Sequence, residues 1–293
     1  MLSIDGLYTA IVTPFKNGEL DKTTFLRLLD LQREAGVDGV VVCGSTGEAA
    51  TTSNEEKVQL WSWAVEHMNG TVPIIAGTGS NDTRASIELT RKAESCGVQG
   101  ALVVTPYYNK PSLAGQLAHF KAIADSTSLP VVMYNVPGRT ATNMSAETQL
   151  EIAEACKNVV ATKEASANLE QIGQIIRNAP SHFRVIAGDD VLALPIIALG
   201  GKGVIAVISN YAPRTFGRLV HAALAGDYAT ARTLQEKLVP YYTANFIESN
   251  PGPVKYILSL LGMCDATYRL PLVPPTTLTQ AKLEKVMSSF VDA

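Results

Sequence analysis

Residues 100–135 read GALVVTPYYNKPSLAGQLAHFKAIADSTSLPVVMYN. A short apolar, β-branched run (100–105) leads into a loop of small and polar residues, then an amphipathic stretch (112–126), then a second apolar run (130–135). The two runs are nearly continuous in Val, Leu, Ala and Met, which suits parallel strands buried on both faces. Parallel neighbours need a crossover of a dozen or more residues, and the amphipathic stretch is long enough to supply it as a helix.

Outward from this segment the same unit recurs until about residue 226. Further runs at 7–13, 38–43, 73–77, 159–163, 184–188 and 203–208 bring the predicted strands to eight. Helices are predicted over 21–35, 82–96, 145–157, 168–178 and 213–225. Ser53-Asn-Glu-Glu56 fits a capping box opening another, and Gly36, Gly97 and Gly226 stand where helices end. Eight βα units predict an α/β chain with a closed (β/α)8 TIM barrel over 1–226, although an open doubly wound sheet alternates in the same way. Beyond 226 the strands stop. Helical stretches at 227–246, 253–261 and 277–290 predict a C-terminal helical extension over 227–293, interrupted at Asn250-Pro-Gly-Pro253 and Leu270-Pro-Leu-Val-Pro-Pro275.

With 46% hydrophobic and 17% charged residues, the chain has ample material for one large core. A net charge of -3 and the lack of any dense Lys/Arg block disfavour nucleic acid and anionic membranes as partners. The opening MLSIDGLYTAIVTPF has neither the positive start nor the cleavage site of a secretory signal and reads as a strand, so a cytoplasmic location is expected. The apolar stretch 191–208 is broken by Pro195, three glycines and Lys202, and predicts a buried helix, a turn and a buried strand rather than a membrane span. The cysteines at 43, 96, 156 and 264 form no C-x-x-C pair; they are expected as small core residues, with no disulfide or zinc site.

A barrel of this kind builds its active site at the C-terminal ends of its strands. Those positions hold Thr13, Ser45, Thr46, Glu48, Thr78, Tyr107, Tyr108, Tyr134, Asn135, Lys163, Glu164, Asp189, Asp190, Ser209 and Asn210. Hydroxyls, phenols and one lysine predominate. No histidine is present there, which argues against a metal hydrolase and against His-based acid/base chemistry. Lys163, closing Val159-Val-Ala-Thr162, is placed to be desolvated, and desolvation is what turns an ammonium into a nucleophilic amine. Position alone also allows an inert ion pair with Glu164 or Glu48. Tyr134 is a candidate phenolic acid/base and Gly44-Ser-Thr-Gly47 a candidate anion loop; each also reads as an ordinary packed ring or glycine turn. Asp189 and Asp190 are expected to cap the helix that follows. Gly77-Thr-Gly79-Ser-Asn-Asp82 lacks the third glycine of a dinucleotide fingerprint, so no cofactor is expected there.

Taken together, Leu7-Tyr-Thr-Ala-Ile-Val-Thr-Pro-Phe15, Gly44-Ser-Thr-Gly-Glu48, Ala76-Gly-Thr-Gly79, Thr105-Pro-Tyr-Tyr-Asn-Lys-Pro111, Tyr134-Asn-Val-Pro-Gly-Arg139, Lys163-Glu-Ala-Ser166, Gly188-Asp-Asp190 and Asn250-Pro-Gly-Pro-Val-Lys255 resemble the dihydrodipicolinate synthase family. That family lies in the pyruvate-dependent lyase superfamily that includes N-acetylneuraminate lyase. The resemblance spans nearly the whole chain. It implies a Schiff base between Lys163 and pyruvate, condensation with L-aspartate 4-semialdehyde, no other cofactor and no metal.

The resemblance further implies Tyr134 as general acid/base, with Ser45 and Tyr108 completing a proton relay and Tyr108 coming from a neighbouring subunit of a homotetramer built as a dimer of dimers. Ser45 and Thr46 would hold the pyruvate carboxylate through backbone N–H groups, Arg139 the semialdehyde carboxylate, with Gly188 and Ile205 as further substrate contacts. Two departures stand out. Position 45 is Ser where most members carry Thr, a form familiar from neuraminate lyases, so a sugar-acid aldolase is the alternative activity and a non-catalytic keto-acid-binding barrel a remote one. The family's lysine-feedback site maps onto Ala49, Asn54, Lys57, Asn81, Ala85 and Tyr107; Lys57 and Ala85 replace the histidine and glutamate of lysine-inhibited members, which implies weak or absent inhibition.

Overall fold

The computed structural model describes residues 4–292. Eight parallel strands close into a barrel in sequence order: β1 (Gly6–Ala10), β2 (Gly39–Val42), β3 (Ile74–Gly77), β4 (Gly100–Val104), β5 (Val131–Asn135), β6 (Val159–Glu164), β7 (Arg184–Ala187) and β8 (Gly203–Ala206). The closed barrel settles the choice left open by counting βα units, because no strand is left with an unpaired edge.

The continuous apolar runs conceal an alternation. Val41, Ile75, Leu102, Val132, Ile186 and Ile205 pack inside the barrel. Their neighbours Val40, Val42, Ile74, Ala76, Ala101, Val103, Val131, Met133, Val185, Ala187, Val204 and Ala206 belong to the separate cluster shared with the helices. Successive strand residues face opposite sides, so a strand buried on both sides must be apolar at every position.

The outer ring comprises α1 (Lys22–Ala35), α2 (Asn54–Met68), α3 (Thr83–Ser95), α4 (Leu113–Ala124), α5 (Ala146–Ala155), α6 (Leu169–Asn178), α7 (Ala193–Ala198) and α8 (Pro213–Leu224). Ser53 and Glu56 form the expected reciprocal capping box of α2. Three further helices follow: α9 (Tyr228–Asn245), α10 (Gly252–Leu260) and α11 (Thr277–Met287). No helix among the described residues is long and apolar enough to cross a membrane. The stretch 191–208 resolves into α7, a glycine turn and β8, as its interruptions require.

Some features were not anticipated. A small hairpin pairs Phe15–Lys16 with Glu19–Leu20. A one-turn helix, Pro137–Thr140, carries Arg139. Cys96 is only partly buried, unlike the other three cysteines, all of which are free thiols.

Candidate active site

The strand ends decide what the site contains, and β6 departs from the regular pattern there. Val131 pairs with Val159, but Val132 pairs with Ala161, leaving Val160 as an extra residue. Val159 faces the helices, whereas both Val160 and Ala161 join the inner cluster. Strict alternation from Val159 would turn Lys163 outward. A one-residue irregularity reverses the facing of everything after it, and Lys163 becomes the register partner of Tyr134 inside the barrel.

Lys163 is 6% exposed, and its Nζ lies 4.4 Å from the centroid of the Tyr134 ring. The two carboxylates that might have neutralised it are committed elsewhere. Glu48 pairs with Lys255 at 2.6 Å, both side chains fully buried. Glu164 accepts hydrogen bonds from Asn135, Gln149 and Gln171 on the far side of the strand. Burial therefore dominates the lysine and lowers its pKa to about 8; Asp189 and Asp190 pull the other way and Arg139 adds to the lowering. Near physiological pH an amine with that pKa is neutral in a minority of molecules, about a tenth to a fifth, far more than an ordinary lysine, and the neutral form is the one that attacks carbonyl carbon.

Tyr134 is 7% exposed, and burial raises its phenol to about 12 against smaller lowering effects from the Arg139 charge and a hydrogen bond with Ser45. It thus rests as a neutral phenol, able to give a proton and take it back. Ser45 begins the turn after β2, where Gly47 N–H donates to Gly44 O at 3.0 Å and Glu48 N–H donates to Ser45 O at 3.2 Å. The N–H groups of Ser45 and Thr46 stand outside that turn's hydrogen bonds. Gly77 allows the close approach behind the turn, since a Cβ there would lie 2.0 Å from Cys43 O.

Tyr134, Ser45, Gly44 and Arg139 line one cavity of about 460 Å3 together with Tyr107, Ala49, Asn54, Lys57 and Ala85. Arg139 is exposed at its mouth. The remaining expected residues are less central. Gly188 is partly exposed and its N–H donates to Glu164 O at 2.8 Å. Ile205 is wholly buried inside the barrel, opposite Tyr8 in register. Tyr108, held in a left-handed conformation (φ 73), is 88% exposed and does not join Tyr134 and Ser45 within this chain.

Two readings of side chains are corrected. Neither aspartate caps a helix through its side chain: Asp189 makes no capping bond, and Asp190 instead accepts the N–H groups of Val207 and Ile208 at 2.9 and 2.7 Å, tying β7 to the end of β8. Burial raises Asp190 to about 6 despite those two bonds. Asn250, read from the sequence as part of a helix-breaking turn and of a family motif but given no role in the site, donates to Thr46 Oγ1 at 2.9 Å while its backbone carbonyl accepts from Arg139 Nη2 at 3.1 Å. Together with Lys255, it makes the C-terminal extension part of the support beneath the Gly44–Glu48 turn. Its place in a Pro-rich joint and in the Asn250–Lys255 motif was the signal in the sequence.

Comparison with known proteins follows the same lines as this geometry. The dihydrodipicolinate synthetase family matches residues 3–290. The 4-hydroxy-tetrahydrodipicolinate synthase of Maridesulfovibrio salexigens is 46% identical over 283 residues, covering 97% of each chain. The crystal structure of dihydrodipicolinate synthase from Aquifex aeolicus superposes with a TM-score of 0.96 at 41% identity, covering 97% of both chains. That of the Cyanidioschyzon merolae enzyme with lysine bound gives 0.94 at 40% identity, again over 97% of both. Since sequence pattern and backbone agree from end to end, the chain belongs to the dihydrodipicolinate synthetase family.

Proposed function

We propose that the chain is a 4-hydroxy-tetrahydrodipicolinate synthase, a lyase of the class I, Schiff-base type acting in diaminopimelate and lysine biosynthesis. The observation that carries this reading is Lys163: a buried amine with no ion-pair partner among the described residues, facing a protonated phenol beside a cavity that carries Arg139.

Lys163 Nζ attacks the keto carbon of pyruvate, and loss of water from the carbinolamine gives the iminium. Tyr134 protonates the departing hydroxyl, with Ser45 next to it in the relay. Loss of a methyl proton from the iminium gives the enamine, whose carbon adds to the aldehyde of L-aspartate 4-semialdehyde. Attack by the substrate's own amine on the imine carbon closes the ring and returns Lys163. The N–H groups of Ser45 and Thr46 suit the pyruvate carboxylate, with Gly188 and Ile205 as further contacts around the bound substrates. Tyr108, extended into solvent, completes the relay in a second copy of the chain, within a homotetramer arranged as a dimer of dimers. No other cofactor enters this chemistry. The test is turnover of pyruvate with aspartate semialdehyde, set against cleavage of N-acetylneuraminate; cleavage of the sugar acid without condensation would move the assignment to the sugar-acid aldolases.

Arg139 at the mouth suits the semialdehyde carboxylate, because a planar guanidinium binds a carboxylate through two parallel hydrogen bonds. Arg139→Ala is expected to raise KM for the semialdehyde about ten- to hundredfold, the equivalent of one charged hydrogen-bond set. KM for pyruvate should stay within about threefold if the two carboxylates are held by separate groups. Steady-state kinetics with each substrate varied in turn decides this.

Lysine is expected to inhibit weakly or not at all. In the cavity segment formed by Ala49, Asn54, Lys57, Ala85 and Tyr107, a cationic effector would meet the partly buried Lys57 ammonium and find no carboxylate at position 85. Half-inhibition at micromolar lysine in the turnover assay would contradict this.

A further inference from the structure

Lys163 faces Tyr134 only because β6 holds one extra residue, and a strand with a displaced register needs something to keep it from sliding back. The next register pair along the same two strands is Asn135 and Glu164, which points to the opposite face, between the barrel and helices α5 and α6. Glu164 is 1% exposed there.

Every partner of its carboxylate is a neutral donor. Asn135 Nδ2 lies 3.0 and 3.1 Å from the two oxygens, Gln149 Nε2 of α5 at 2.7 Å and Gln171 Nε2 of α6 at 3.2 Å. The Ser166 N–H donates at 2.8 Å. Asn135 is itself held, with its Oδ1 accepting from Met144 N–H at 3.0 Å and its Nδ2 donating to Asn143 Oδ1 at 2.8 Å.

A buried carboxylate without a cation is costly, and the donors around it do no more than offset that cost. The arrangement is therefore a poor way to stabilise the fold but a good way to define it, since a group that only accepts fits a ring of groups that only donate. If β6 slid by one residue, Glu164 would enter the apolar barrel and Lys163 would be driven against the helices. Both moves bury an unpaired charge.

The geometry points to Glu164 as a positioning residue that holds Lys163 toward Tyr134, acting through the donors Asn135, Gln149 and Gln171 and not through contact with substrate. This rests on the Schiff-base reading of Lys163 and extends it to the outer face of the barrel.

The test uses Glu164→Gln, nearly the same shape, in which an NH2 group replaces an oxygen within the ring of donors. The readouts are the rate at which borohydride traps pyruvate on Lys163, kcat and KM, with circular dichroism as the check on folding. Trapping and kcat are expected to fall about ten- to hundredfold, the scale on which small misplacements of a reacting group act, with KM for pyruvate within about threefold. A folded Glu164→Gln protein that is less heat-stable but traps pyruvate at the native rate would overturn the inference, because a purely structural carboxylate predicts that result.

If Glu164→Gln does not fold, Gln149→Leu removes one donor and keeps the carboxylate. Slower trapping by a folded protein supports the positioning role, and native-rate trapping overturns it. The unaltered protein separates the two levels of argument: no adduct on its Lys163 would remove the Schiff-base reading itself.

Discussion

Lys163→Ala will form no pyruvate adduct under borohydride and will lose turnover by at least about 10^3-fold, the scale seen when a covalent nucleophile is removed. The loss should be so large because no other lysine among the described residues stands over the Tyr134 ring. Lys255 is buried in its pair with Glu48, and Lys57 lines the same cavity without standing over the Tyr134 ring as Lys163 does. The fold should survive, since the substitution removes a buried charge that has no ion-pair partner among the described residues.

The unaltered protein should also show the amine's protonation state. With burial holding Lys163 at about 8, the neutral fraction grows as pH rises toward that value. Trapping at fixed pyruvate is then expected to fall about tenfold per unit below it and to level off above. Peptide mapping of the reduced adduct checks the site, and trapping rates across pH check the titration. An adduct on another lysine, or a rate indifferent to pH between 6 and about 9, would contradict the assignment.

Tyr134→Phe separates the phenol's two possible duties. The ring that lies 4.4 Å from the Lys163 ammonium is retained, while the hydroxyl and its hydrogen bond with Ser45 are lost. If the hydroxyl carries protons, kcat should fall about 10^2- to 10^4-fold, the usual contribution of a positioned acid/base, while KM for pyruvate moves little. The adduct on Lys163 should still form, more slowly, because the amine is unchanged. A kcat within about threefold of native would make Tyr134 a packed ring and send the search for a proton carrier elsewhere. Comparing single-turnover adduct formation with steady-state kcat distinguishes these outcomes.

Legibility followed the range of the interactions. The eight strands could be located because burial on both faces demands unbroken Val, Ile, Leu and Ala runs, and that demand is local. Caps such as Ser53 and Glu56 were readable for the same reason, their partners being three residues apart. The aspartates were misread because Asp190 finds its donors at Val207 and Ile208, across a helix and a strand. The role of Asn250 was missed because its partner Thr46 is 204 positions away in sequence.

The sequence by itself determined the eight βα units, the set of groups at their strand ends and, through motifs spread over the whole chain, the family; closure of the sheet into a barrel is seen in the strand pairing. Only the tertiary structure decided whether Lys163 is half of an ion pair with Glu48 or Glu164. Two non-local facts settle that. Glu48 is taken by Lys255 from the C-terminal extension, and Glu164 by amides from α5 and α6. The direction of Lys163 was also beyond local reading. Residue periodicity places a side chain on a face only while the register holds, and the extra residue at Val160 becomes visible only when β6 is laid against β5.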